Sequence, residues 1–161
     1  MNLKTSLFTA AYSAGVPQKY YSLCAKFPFV AGVLYTKMGA KDVLAAATGQ
    51  VEISKLSGPG RVFQLNGLPA GVSLKFVVQS GGTVETHFCL SADNQEAFDT
   101  FASFCKECLE HQGLCPNPPY PRPVCKSTDD LIAAFQEFRD LVLLLSNTIP
   151  KPEGDCPVRT Q

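Results

Sequence analysis

A chain of 161 residues fits one domain, large enough to bury a substantial core without disulfide or metal staples. Fourteen basic and fourteen acidic side chains cancel, which removes any general attraction to nucleic acid or acidic lipid while leaving room for a local basic patch. With 17% charged and 45% hydrophobic residues the chain has little polar surface to spare, a composition that favours a buried partner interface over a freely solvated monomer.

Seven cysteines are many for this length, but the number is odd and they lack the dense framework of a small secreted scaffold. A reducing, intracellular setting, cytoplasmic or nuclear, is the expectation. Residues 1–14 carry one lysine and a short apolar run broken by Thr5, Ser6 and Thr9, too brief for a signal peptide. No run approaches the roughly twenty apolar residues that cross a bilayer.

Taken in order, the apolar patch Tyr20, Tyr21, Leu23, Cys24 and Phe27, broken by Pro28, predicts a short helix or an ordered arm. Val30 to Tyr35 is apolar and partly β-branched and reads as a strand; the alanine-rich run Lys41 to Thr48, between Gly39 and Gly49, reads as a short helix. Val51 and Ile53 share one strand face, Ser57 to Gly60 has hairpin-turn composition, and Phe63 and Leu65 point inward from the next strand. After a turn through Gly67, Pro69 and Gly71, Val72, Leu74, Phe76 and Val78 alternate cleanly, and Ser80 to Gly82 leads into Val84, Thr86, Phe88 and Leu90. At least three antiparallel strands therefore meander here.

Beyond Ala92 the period changes. Ala97, Phe98, Phe101, Cys105, Cys108 and Leu109 recur at three and four residues, predicting a long amphipathic helix that Asp93 and Glu96 open as a near capping box and Gly113 closes in a left-handed turn. Prolines 116, 118, 119, 121 and 123 make residues 114–126 an extended connector. Ser127 or Thr128 then caps a second helix, with Asp129 and Asp130 in its first turn. Leu131, Phe135, Phe138, Val142 and Leu145 form a coiled-coil-like seam that Ile132, Leu141, Leu143 and Leu144 widen. Pro150 stops this helix. The fold class is α+β: an antiparallel meander packed by a long helix, plus a C-terminal amphipathic helix. Its parts are a domain at 1–113, the connector at 114–126, the helix at 127–149 packing on the domain or on a partner, and a loose tail at 150–161.

Candidate chemistry is sparse. Cys105, Cys108, His111 and Cys115 have spacings that would let a helix end and the following loop grip zinc, although Cys105 and Cys108 also lie on the apolar stripe of Phe101, where cysteine packs as a small hydrophobe. Glu85, His87 and Cys89 share the polar face of their strand, yet neighbours two apart stand roughly 7 Å from each other, too far for a ready His–Cys hydrogen bond. Gly58, Gly60, Gly81 and Gly82 open no helix and read as hairpin turns. Phe63, Phe76 and Phe88 alternate inward, which argues against an aromatic platform for single-stranded nucleic acid.

The phrase HFCLSADNQEAFDTFASFCKECL, residues 87–109 after a meander of short strands, resembles the last strand and helix of pleckstrin-homology-like domains. Among these it is most similar to the meiotic double-strand-break accessory family, whose domain ends in a serine-acid turn and a cysteine-bearing helix, here Ser91 to Cys108. VPQKYYSLCAKFP, residues 16–28, is similar to the segment that precedes that domain. The resemblance covers less than half of the chain, and three or four strands stand where a complete PH barrel has seven. It implies docking of partner peptides or proteins, and by extension a subunit of a DNA-recombination complex, without the basic cluster that binds phosphoinositides.

The expected function is a non-enzymatic protein–protein interaction module or small complex subunit that docks, on a partner or a second copy, through Leu131, Phe135, Phe138, Val142 and Leu145. No cofactor is expected, zinc being the one candidate. The alternative is a small zinc- or thiol-dependent enzyme built on His87, Cys89 or the Cys105 to Cys115 group.

Overall fold

Alternation of apolar and polar residues builds the sheet. In the computed structural model, which describes residues 2–33 and 37–151, five strands lie side by side in sequence order. They are β1 (Ile53–Lys55), β2 (Arg61–Leu65), β3 (Val72–Val78), β4 (Val84–Ala92) and β5 (Gln95–Asp99), each antiparallel to the next. The register sets Phe63 opposite Phe76, and Leu74 opposite Phe88, so one face is lined with rings and leucines. The other presents Lys75 beside His87, and Cys89 beside Phe98. This meander is an open five-stranded sheet, whereas a complete PH barrel has about seven strands.

β5 corrects the expectation of a helix beginning at Asp93. Asp93 and Asn94 both adopt positive φ, 50° and 60°, the backbone of a two-residue type I′ hairpin turn, and the chain doubles back as a strand. Within β5 Ala97 is buried while Phe98 is 75% exposed, a period of two that five residues were too few to display. Helix α5 therefore starts at Phe101 and runs to His111, capped by Thr100, whose hydroxyl accepts from the Ser103 amide at 3.1 Å. Its far end is as expected. Gly113, at φ 75°, lets its own amide reach the Glu110 carbonyl and the Leu114 amide reach Leu109, a Schellman closure.

Helices cover the ring-lined face. Helix α6 (Thr128–Ser146), capped by the Ser127 hydroxyl on the Asp130 amide, lays Phe135 flat on Phe76 with centroids 4.0 Å apart, and Phe138 against Phe76 and Phe101. α5 sets Phe101 and Phe104 on Phe88 at 5.0 and 5.5 Å. Before the sheet stand α1 (Leu3–Ser6), α2 (Phe8–Ser13), α3 (Val16–Lys26) and α4 (Ala40–Ala47). Leu3, Leu7, Phe8 and Ala11 are buried, and Phe8 packs on Phe104 at 5.4 Å. The strand expected at Val30 to Tyr35 is not formed over residues 30–33, which make an exposed turn; Leu34 and Tyr35 lie outside the described residues.

The proline-rich connector forms no helix and no named strand, bends over residues 117–120, and its end is stitched into the fold. The Val124 amide donates to the Phe27 carbonyl, Cys125 to Gly82, and Val84 to Pro123, at 2.8 to 3.0 Å. A Cβ on Gly82 would stand 1.9 Å from the Cys125 carbonyl oxygen, so only glycine admits this approach. The Tyr20 hydroxyl reaches in from α3 to the Pro121 carbonyl. α6 thus enters the same core cluster as the sheet and the N-terminal helices.

Candidate functional site

The five seam residues of α6 are used within the chain. Leu131, Phe135, Phe138, Val142 and Leu145 are fully buried against the sheet, α3 and α5, which leaves none of them at the surface for a partner. This corrects their reading as an exposed docking seam, and the reason is the five-stranded sheet itself. Its inner face, extended by β5 and topped by the N-terminal helices, is wide enough to accept the whole stripe.

What α6 does present outward is one wall of a groove. Between α3 and α6 lies a cleft of about 270 Å³. Leu23 and Leu141 form its floor, both buried, and half-buried Leu144 lies at one side. Lys19 and Lys26 stand on the α3 wall; Glu137 and Asp140 stand on the α6 wall. The Lys26 ammonium bonds the Glu137 carboxylate across the opening, an exposed pair that reorganises at small cost. Sequence reasoning missed this site. Its signal was the three- and four-residue spacing of Lys19, Leu23 and Lys26, matched by Glu137, Asp140, Leu141 and Leu144, but the pairing of two helices so distant in sequence exists only in the fold.

The four residues weighed for zinc are not brought together. Cys105 and Cys108 point into the core, His111 leans exposed on the Phe8 ring at 5.4 Å, and Cys115 is exposed beyond the Gly113 turn. Among the described residues no group of three or more cysteine, histidine or acidic side chains has the geometry to hold a metal ion. The residues that spacing suggested as ligands diverge because Cys105 and Cys108 follow the stripe of Phe101, while the Schellman turn carries Cys115 away.

All six described cysteines are free thiols. Burial pushes Cys24 and Cys125 up to about 12 and Cys108 to about 11, and holds Cys105 well above the ordinary thiol value. The Cys108 sulfur donates to the Phe8 carbonyl at 3.2 Å. These four are protonated near neutrality and poor nucleophiles.

On the open face of the sheet, His87 stands opposite Lys75, and Cys89 stands between Ser73 and Phe98. No hydrogen bond joins His87 to Cys89 among the described residues. Glu85 turns instead to the connector, where its carboxylate lies 3.5 Å from the Arg122 guanidinium. Burial raises its pKa, against the pull of Arg122. Arg122 in turn lies over the Tyr120 ring at 5.7 Å, and the Tyr120 hydroxyl meets Thr100 at 2.9 Å. The Glu85 carboxylate thus clamps the connector onto β4. Gly58, Gly60, Gly81 and Gly82 all occupy turns at positive φ. Phe63, Phe76 and Phe88 face the helices, as their alternation required.

Neither a protein-family model, nor a curated protein, nor a solved structure matches the chain. Among the described residues no helix is long and apolar enough to cross a membrane.

Proposed function

We propose that this chain is a non-enzymatic interaction module that holds an amphipathic helix of a partner protein between α3 and α6. One observation carries the reading: an apolar floor of Leu23 and Leu141, with Leu144 beside it, framed by lysines on one wall and carboxylates on the other. A guest helix would set an i, i+3, i+4, i+7 stripe on that floor, with its acidic flank toward Lys19 and Lys26 and its basic flank toward Glu137 and Asp140. α6 remains the docking element, but through its outer face. The protonated thiols and the separation of His87 from Cys89 favour this reading over a thiol enzyme.

Selection of helical peptides from a displayed library against the full-length protein tests the proposal. Enriched peptides carry the apolar stripe with an acidic flank, and Leu144→Asp weakens their binding at least tenfold, about 1.4 kcal/mol, while the protein still melts cooperatively. Peptides that bind Leu144→Asp as well as the parent would remove the groove from consideration. A native mass spectrum adds a second reading: a dimer that dissociates in Leu144→Asp makes the guest helix a second copy of this chain.

A further inference from the structure

Charge is distributed unevenly along a chain that is neutral in sum. Residues 1–41 contain Lys4, Lys19, Lys26, Lys37 and Lys41 and no aspartate or glutamate; the remaining 120 residues hold nine basic and fourteen acidic side chains. Such asymmetry marks one part of a protein for an anionic surface. Lys4 is occupied by Asp99 and Glu107, and Lys26 by Glu137. Among the described residues, no ion pair includes Lys19, Lys37 or Lys41.

Within this basic part lies the most apolar exposed segment of the described chain. Pro28, Phe29, Val30, Ala31, Gly32 and Val33 are all exposed, Phe29 at 70%, Val30 at 37% and Val33 at 39%. They close on themselves in a turn in which the Val33 amide donates to Val30 and Gly32 takes φ 78°. Consecutive exposed apolar residues are unfavourable in water unless they have a use. Basic residues flank the turn in sequence and through the bonds that anchor its neighbours. Lys26 and Lys37 flank it in sequence, the Arg61 guanidinium donates to the Met38 carbonyl at 2.8 Å, and the Phe27 carbonyl takes the Val124 amide two residues before Lys126. The acidic side chains on the neighbouring elements are Asp42 on α4 and Asp129, Asp130, Glu137 and Asp140 on α6; Asp130 accepts from the Lys126 amide and Glu137 holds Lys26, which leaves Lys37 and Lys41 outside any ion pair among the described residues.

We infer that residues 28–33 insert into an anionic lipid bilayer surface, with Phe29, Val30 and Val33 at the headgroup–acyl boundary and Lys37, Lys41 and Arg61 against the headgroups. A short turn that combines one ring with valine, alanine and glycine offers a compact apolar tip that a fluid interface can close around. The flanking cations match anionic lipid, which attracts clustered lysines near its surface. The loop and the α3–α6 groove are separate surfaces, so this inference does not depend on the proposed helix docking.

The chain contains no tryptophan, which makes Phe29→Trp a unique reporter. With vesicles of phosphatidylcholine and phosphatidylserine at 7:3, the emission of Phe29→Trp shifts to the blue and brominated acyl chains quench it. Vesicles of phosphatidylcholine alone give at least fivefold weaker partitioning. Lys37→Glu with Lys41→Glu lowers partitioning to mixed vesicles at least fivefold, and Phe29→Ser with Val30→Ser abolishes cosedimentation; both variants melt at the parent temperature. No blue shift and no cosedimentation would overturn the inference. So would cosedimentation of Phe29→Trp without a blue shift, which is electrostatic adsorption without insertion. A concentration-dependent blue shift in the absence of lipid would overturn it in favour of a protein surface.

Discussion

At the scale of single residues, the buried thiols set a pH limit on the fold. Cys24, Cys105, Cys108 and Cys125 lie in the core, and burial raises Cys24 and Cys125 to about 12 and Cys108 to about 11, from an ordinary 9.0. Above pH 9 the unfolded chain releases these protons while the folded chain keeps them. The folded state then binds more protons, so stability falls as pH rises from 9 toward 11 to 12, by up to about 1.4 kcal/mol per pH unit for each thiol. Below pH 9 the thiols contribute no pH dependence. Urea midpoints measured at pH 8, 9 and 10 should therefore hold and then drop, and Cys125→Ala should drop less steeply than the parent. An equal slope in the variant would mean that Cys125 ionises within the fold. At pH 8 an alkylating reagent should reach Cys89 and Cys115 at once and the four core thiols only on unfolding.

At the scale of elements, α6 is the centre of the core. Its two rings contact β2, β3, α3 and α5, with Phe135 on Phe63 and Phe76, and Phe138 on Phe76, Tyr20 and Phe101. Truncation of Phe138 to alanine should cost about 3–5 kcal/mol, a lost ring plus the cavity it leaves. Phe138→Asp with Val142→Asp should leave no cooperative melt, because two charges would enter a dry core without partners. Soluble, folded protein from that double variant would mean the seam is surface after all. The helix itself was legible: Ser127, the paired aspartates and the heptad spacing gave its start and its apolar face. β3 and β4 were equally legible, because seven and nine alternating residues admit one period. β5 was not, since Ala97, Phe101, Cys105 and Cys108 fit a helical stripe as well, and Asp93 with Glu96 fits a capping box although Asp93 and Asn94 both turn left-handed. The destination of the seam and the groove behind it were illegible for another reason. Each depends on which elements α6 meets, and periodicity gives a face without giving its neighbour.

At the scale of the whole molecule, the N-terminal fourteen residues close the structure. α1 lies along β5, an edge strand, and α2 lies on α5. Leu3, Leu7, Phe8 and Ala11 carry that contact, and Lys4 joins it to both elements, with Asp99 at 2.6 Å and Glu107 at 2.7 Å. Burial alone would lower the Lys4 pKa, but the two carboxylates outweigh it and the value rises, so the Lys4 ammonium keeps its charge at neutral pH. A chain beginning at Gly15 would bare the Phe104 ring and the Cys108 sulfur, leave the Asp99 carboxylate without its cation, and open an unpaired strand edge to other copies. We expect that shortened chain to lose its cooperative thermal transition, bind a hydrophobic dye and aggregate. Lys4→Met, which keeps the apolar contacts and removes only the ion pairs, should melt lower than the parent yet still cooperatively. The order matters: a shortened chain that melts like the parent would make residues 1–14 a dispensable leader, while Lys4→Met failing as completely as the deletion would assign the closure to charge. With Leu7 and Ala11 fully buried, packing is the larger contribution, and the deletion should be the more damaging of the two.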